Sequence, residues 1–228
     1  MALRRTVVAL SRHGSEAGGF SEAMKGRPIA DQQNASLARE LMNARVHMGH
    51  RTYLTKKTMY PFILGERNGL HVINLDKTVV MLRRGLGVLK EMVAHNCSVM
   101  WCIPNDNEIY KIISPLAEKA GAYLLKGRWV TGTLTNPLAT RQALRYGFKL
   151  PGCLFVLNTK AHEQAIREAV LLSIPVVAIV DTDTDPRNVT YPVPGNDESI
   201  HALHLYANMA MHAMMEGQKL RERRGYMR

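Results

Sequence analysis

The sequence predicts an α/β protein, a parallel sheet with helices on both of its faces, and three observations carry that prediction. The stretch Val176 to Val180 is five apolar residues, four of them β-branched, too few for a buried helix and suited to a strand covered on both sides. Similar short runs alternate along the chain with amphipathic stretches of helical period, the spacing that gives right-handed strand–helix–strand crossovers. Each strand should then end in a polar loop, as Val180 does in DTDTDP; such loops are where this class of fold usually binds its partners.

Taken in order, Met1 to Pro28 is without periodicity and carries Arg4, Arg5, Arg12, Lys25 and Arg27 against Glu16 and Glu22. It reads as an N-terminal extension: MALRRTVVALSRHG fits the basic amphipathic helix of an organelle transit segment, and the alternative is a basic arm touching RNA phosphates. Residues 29–216 read as one domain. Ala30 to Arg45 is expected to be a short helix with Leu37 and Leu41 on one face. The stretch VHMGHRTYLTKKTMYPFILGERNG reads as a long loop punctuated by Gly49, Gly65 and Gly69. HVIN is a short strand, and Asp76 opens a helix striped by Val79, Leu82, Leu86, Leu89 and Val93, with Arg83 and Arg84 turned away.

Ser98 to Ile103 is the next strand, closed by Pro104. Ile109, Ile112, Ile113, Leu116 and Ala120 make an amphipathic helix that kinks at Pro115 or restarts there on Ser114. Ala122 to Leu125 and Cys153 to Leu157 are strands; Ala161 to Leu172 is a helix with Ile166 and Val170 inward. Val176 to Val180 completes five strands. A last helix runs through Ile200, Leu203, Ala207, Ala210 and Met214, opened by GND with Asn196 or Asp197 as its cap. Residues 217–228 form a basic tail, Lys219, Arg221, Arg223, Arg224 and Arg228 against Glu222.

Composition narrows the function. Lysines and arginines number 30 against 19 acidic residues, a net charge of +11, the footprint of a chain that binds nucleic acid or an anionic surface. The three cysteines, Cys97, Cys102 and Cys153, lack C-x-x-C spacing and read as buried thiols in a reducing compartment. No run of 18 apolar residues occurs, so no membrane span is expected.

The acidic loop admits a chemical reading. D-T-D-T after an apolar strand matches the signature of haloacid-dehalogenase phosphatases, in which one carboxylate, here Asp181, attacks phosphorus and the next, Asp183, serves as acid and base. That motif belongs on the first strand of its domain and needs a lysine and further acids on later strands; here only a short segment and one helix follow. The structural alternative is that the acids and hydroxyls shape the turn before Pro186. A calcium loop is excluded by Pro186 and Pro192 at positions six and twelve. His47 and His50 have no cysteine or carboxylate nearby in sequence to complete a zinc set. Neither G-x-G-x-x-G nor G-x-x-x-x-G-K-[ST] occurs, so the fold suggests a nucleotide and the loops do not provide for one.

Six stretches, HMGHR, PFILGERNGLHVINLDKT, RWVTGTLTN, LPGCLFVL, IPVVAIVDTDTDP and VPGNDESIHAL, resemble in order and spacing the family of small-subunit ribosomal protein two across about residues 44 to 216. The resemblance implies a flavodoxin-like α/β/α domain, a five-stranded parallel sheet that binds small-subunit ribosomal RNA beside neighbouring ribosomal proteins. It implies a structural role, with no enzyme activity, cofactor, small-molecule substrate or membrane. Bacterial members carry a long helical hairpin after LTN; here only Pro137 to Leu150 lies there, so the hairpin is expected to be missing. Thr131 stands where the family usually has the first of two glycines. These departures and the basic N-terminus favour a mitochondrial ribosome over the bacterial cytoplasm. A protein-interaction module outside the ribosome is the further alternative.

If the partner is folded RNA, most contacts go to phosphate and sugar. The candidates are His50, Arg51, Lys56 and Lys57 in the long loop, Arg67 in GERNG, and Arg128 beside Trp129. Tyr53, Tyr60 and Phe62 lie among these cations, the mixture that stacks on bases while gripping phosphate, although Phe62 is as well suited to pinning the loop to the core. Trp129 fits the core better than a base stack. Arg83, Arg84 and Arg141 complete the set, with solvated helix faces as their plainer reading.

Overall fold

A computed structural model describes residues 29–125, 128–136 and 150–225. The N-terminal extension, Arg141, most of the Pro137–Leu150 segment and the last three residues of the tail therefore lie outside the described residues. The chain divides after Glu40. Helix α1 (Ile29–Asn43) crosses that division, and the fold is that of Leu41 onward.

Two sheets are present among the described residues. The first is antiparallel, with β1 (Met48–Arg51) and β2 (Ile63–Arg67) on either side of β3 (Leu70–Ile73). The long segment read as a loop is thus a three-stranded ribbon, with HVIN as its middle strand rather than part of the parallel sheet. Glycines and charges in HMGHR and ILGER hide the period-two alternation that announces a strand. Two short 3-10 turns, Thr52–Leu54 and Lys57–Phe62, connect β1 to β2.

The second sheet is wholly parallel and holds β4 (Val99–Cys102), β5 (Tyr123–Leu125), β6 (Cys153–Val156), β7 (Val176–Val180) and β8 (Tyr191–Pro194). Its order, β5-β4-β6-β7-β8, reverses direction once, between β4 and β6, which is the flavodoxin-like arrangement. The fifth strand is therefore YPVP, which Pro192 and Pro194 disguise. Proline is tolerated on an edge, and β8 pairs with β7 alone. Gly195 N donates to Val180 O at 3.0 Å, which puts the odd-numbered amides on the side of β7 and the two prolines at positions pointing outward.

β4, β6 and β7 are buried along their whole lengths, as strands covered on two faces must be. One face carries Met100, Cys102, Leu154, Val156 and Ala178 against Ile166 and Ala169 of α4 (Glu163–Leu171). On the other, Trp101 and Phe155, paired across β4 and β6, meet edge to face at 5.3 Å. Helix α2 (Leu75–Ala94) comes close to the sheet at Gly85, where a Cβ would stand 2.8 Å from Val177 Cγ1. The long α5 (Ile200–Arg223) crosses α2 at Gly217, where a Cβ would strike the Lys90 carbonyl.

Several local expectations change. Helix α3 (Asn107–Lys119) runs unbroken through Pro115, capped by Asp106, whose side chain accepts from Glu108 N at 2.7 Å, so Ser114 caps nothing. The cap of α5 is Ser199, and Asn196 Oδ1 instead accepts from Glu198 N and Ser199 N in the preceding turn. Val170 on α4 points outward, 49% exposed. Cys102 and Cys153 are buried free thiols, and burial pushes both up to about 12; Cys97 is only partly buried.

The two helix contacts give a paired prediction. Gly217→Ala should destabilise the protein by about 1–3 kcal/mol in urea unfolding, because the added methyl meets backbone. Gly87→Ala, in α2 with nothing within 4 Å, should be neutral or stabilising by up to about 1 kcal/mol.

Candidate nucleic-acid interface

The acidic loop after β7 is what holds the ribbon. Thr182 is fixed from both sides of its peptide: its Oγ1 accepts from His50 N at 2.9 Å and its carbonyl from Lys56 N at 2.9 Å. The approach is so close that a Cβ on Gly49 would stand 2.6 Å from Thr182 Cγ2, which is why HMGHR has glycine there. Next to this seam the His50 ring enters a ring of carboxylates. Its Nδ1 lies 3.2 Å from Asp181 Oδ2 and its Nε2 3.1 Å from Glu198 Oε1, with Asp183 Oδ2 at 3.8 Å.

The charges in this cluster are mutually determined. The hydrogen bond to Asp181 raises His50 to about 9 against the opposing effect of burial, so the imidazole is a cation at neutral pH. Asp197, buried beside Asp181 and Asp183, is pushed up to about 8 by burial first and by those two carboxylates second. At pH 7 the cluster thus holds an imidazolium at His50 and a mostly protonated Asp197. Burial also drives Tyr206 well above its ordinary value. The glycine of PGND belongs to the same place, because a Cβ on Gly195 would strike the Tyr206 hydroxyl.

The other acids of the loop are engaged too. Asp181 accepts from Thr182 N through Oδ1, and its carbonyl accepts from Thr184 N and Oγ1. Asp183 receives Lys160 Nζ at 2.7 Å; Asp185 caps the turn at Pro186 by accepting from Arg187 N, and pairs with that guanidinium. A nucleophilic carboxylate needs an exposed oxygen, and Asp181 is 1% exposed with both oxygens occupied. Among the described residues no three or more histidine, cysteine or acidic side chains, this cluster included, are arranged so that they could hold a metal ion.

In this topology a small ligand would sit where the winding reverses, outside the carboxyl ends of β4 and β6. Near the ends of those strands lies His162, 3% exposed, whose Nε2 donates to Ile103 O, just past β4, at 2.7 Å. Burial lowers its pKa, so the ring is neutral. A cleft of about 500 Å³ between Lys56, Lys160, Asp183 and Arg187 lies beside β6 and β7. Lys160 is the cation that sequence reasoning missed; its only signal was its place just past a strand end.

The RNA-contact candidates separate into groups. Arg51, Lys56, Lys57 and Arg67 are exposed on the ribbon and its turns, whereas His50 has both ring nitrogens inside the acidic cluster. Tyr53 is 74% and Tyr60 54% exposed, the latter edge-on to His71, while Phe62 is partly buried with Lys77 Nζ 5.9 Å over its ring. Arg128 is exposed, and Trp129 beside it is packed, 9% exposed, with Nε1 donating to Glu168 Oε1 at 3.1 Å. Glu168 also accepts from Gly132 N, Leu134 N and Thr135 N, so one buried carboxylate shapes the GTLTN loop. Burial opposes its ionisation, but these four donors outweigh it and the pKa is lowered. The loop's positive φ falls on Gly132 at 90°, so Thr131 in place of a glycine is accommodated without strain. Arg83 and Arg84 are exposed on α2.

The sequence model of the ribosomal protein S2 family matches residues 41–148 and 139–217, in two pieces that meet where the helical hairpin was expected to be missing. The chain is 30% identical to small ribosomal subunit protein uS2 of Dictyoglomus thermophilum over 227 positions, covering 82% of this chain and 92% of that one. It is 34% identical to the uS2 of Gluconacetobacter diazotrophicus and 33% to that of Ruegeria pomeroyi, each over 218 positions, 78% of this chain and 84% of the relative.

The His50 cluster makes stability depend on pH. A histidine raised from 6.5 to about 9 contributes stability that is complete below pH 6.5 and lost as pH rises through 9. Asp197, raised from 3.8 to about 8, acts in the same direction between those values. Unfolding free energy should therefore fall between pH 6.5 and 9, with His50 accounting for on the order of 2–3 kcal/mol. His50→Asn should be less stable at pH 6 and show a flatter profile through that window in urea titrations.

Proposed function

Because this chain belongs to the ribosomal protein S2 family, we propose that it is a structural component of a small ribosomal subunit, seated on ribosomal RNA beside other proteins of that subunit, and that it catalyses nothing. The observation that carries this reading is the pairing of that family match with the geometry of the acidic loop. The groups that resembled a phosphatase centre are buried in a clasp, and the cations Arg51, Lys56, Lys57 and Arg67 of the clasped ribbon stay exposed. A scaffold that turns its strand-end carboxylates inward and presents exposed guanidinium and ammonium groups is suited to a large polyanion.

Within this reading Arg51, Lys56, Lys57, Arg67 and Arg128 contact phosphate and sugar. Arg83 and Arg84 are candidates on α2. His50 acts one step back, by fixing the ribbon that carries them. Trp129 positions Arg128 from below. The ribosome is that of a mitochondrion: the basic segment Met1 to Pro28 precedes the family match, and the short Pro137–Leu150 segment departs from the bacterial hairpin.

Sucrose-gradient fractionation of a native extract should find the protein sedimenting with the small subunit, and with the mitochondrial fraction when organelles are separated first. Recovery in a ribonuclease-resistant complex free of ribosomal RNA would overturn the reading. Affinity for the RNA should fall steeply with salt, and Lys56→Ala or Arg67→Ala should each shallow the log–log slope by about one unit.

A further inference from the structure

The ribbon has two faces, and its register says which residues share one. Arg51 of β1 and Arg67 of β2 both pair with Leu70 of β3. Residues directly opposite across antiparallel strands project to the same side. The three therefore form one row, with Leu70 in the middle and the arginine backbones about 10 Å apart, two inter-strand spacings. Met48, Val72 and Gly65 form the neighbouring row of that face. His71 and Ile73, which alternate with Leu70 and Val72, are buried, so the Leu70–Val72 face is the outward one.

This outward face is apolar along its middle and cationic at its margins. Met48 is 38% exposed, and no atom lies within 4 Å of where a Cβ on Gly65 would stand, so the strip is open and flat there. Neither Arg51 nor Arg67 is paired with a carboxylate among the described residues. Thr52 N donates to Gly69 O at 3.1 Å, which ties the start of the Thr52–Leu54 turn to the Asn68–Gly69 turn at the end of the strip, and the next residue, Tyr53, is 74% exposed. A duplex would offer the arginines its phosphates and leave both the strip and the tyrosine ring without a counterpart. An unpaired strand offers phosphates and the flat faces of bases together.

We propose that this face holds an unpaired stretch of RNA, with phosphates on Arg51 and Arg67 and a base against Tyr53 and the Leu70–Val72 strip. The assignment rests on the RNA-binding reading above and names the kind of RNA structure the ribbon takes.

The test is fluorescence anisotropy of the full chain with two labelled probes, a mixed-sequence single-stranded RNA of twelve nucleotides and a hairpin duplex of similar length, over a range of salt. The single strand should bind more tightly. Tyr53→Ala should weaken it by about 5- to 100-fold with the salt slope unchanged, and Tyr53→Phe should retain binding. Arg67→Ala should reduce the slope by about 0.7, one phosphate of a single strand. Equal affinity for the two probes, untouched by Tyr53→Ala, would overturn this inference and leave the RNA-binding reading standing. Absence of salt-dependent binding to either probe would overturn both. Displacement of the single strand by polyglutamate of matched charge would assign the face to an acidic protein segment and overturn it as well.

Discussion

The contact between His50 and Asp181 joins the two sheets of this protein, and the rest of its exposed surface is arranged around it. The imidazole comes from β1, the carboxylate from the end of β7, and Glu198 approaches from the turn before α5. An isolated ion pair in water contributes little. This one is mostly shielded, is supported by two backbone bonds to Thr182, and sits where a side chain on Gly49 would not fit. The ribbon is also anchored by apolar contact: its connecting segment buries Met59 in the apolar cluster beneath, Phe62 and Ile63 pack against that cluster, and the cations stay outside.

The same cluster accounts for what became of the binding site that such folds usually offer. The strand tips still end in polar loops, but those loops bond to one another and to the ribbon. The buried His162 ring, just past β6, bonds to Ile103 O just past β4. Glu168 of α4 gathers the GTLTN loop. Polar side chains that another protein of this topology would direct at a ligand are here directed inward.

The parts of this structure legible in the sequence are those with a strong period or an unbroken apolar run. Val176–Val180, Cys153–Val156 and the stripe of α2 are of that kind, because burial on both faces or along one stripe leaves its mark in composition. β8 was not legible, since two prolines argue against a strand unless it is known to be an edge. The ribbon was not legible either, because its strands are short and glycines and charges break their alternation. In the site, the charges could be read but not their pairing. His50 and Lys56 look alike in sequence, yet one meets Asp181 across 131 residues of chain and the other stays in solvent. Pairings of that separation depend on the whole topology, and no local signal encodes them.

The outward-facing prolines of β8 have a further effect. An exposed strand ordinarily presents a row of amide donors onto which any extended peptide can zip. At Pro192 and Pro194 those donors do not exist, and the sheet cannot grow past β8. That margin is therefore a poor template for an extended peptide or for a second copy of the strand.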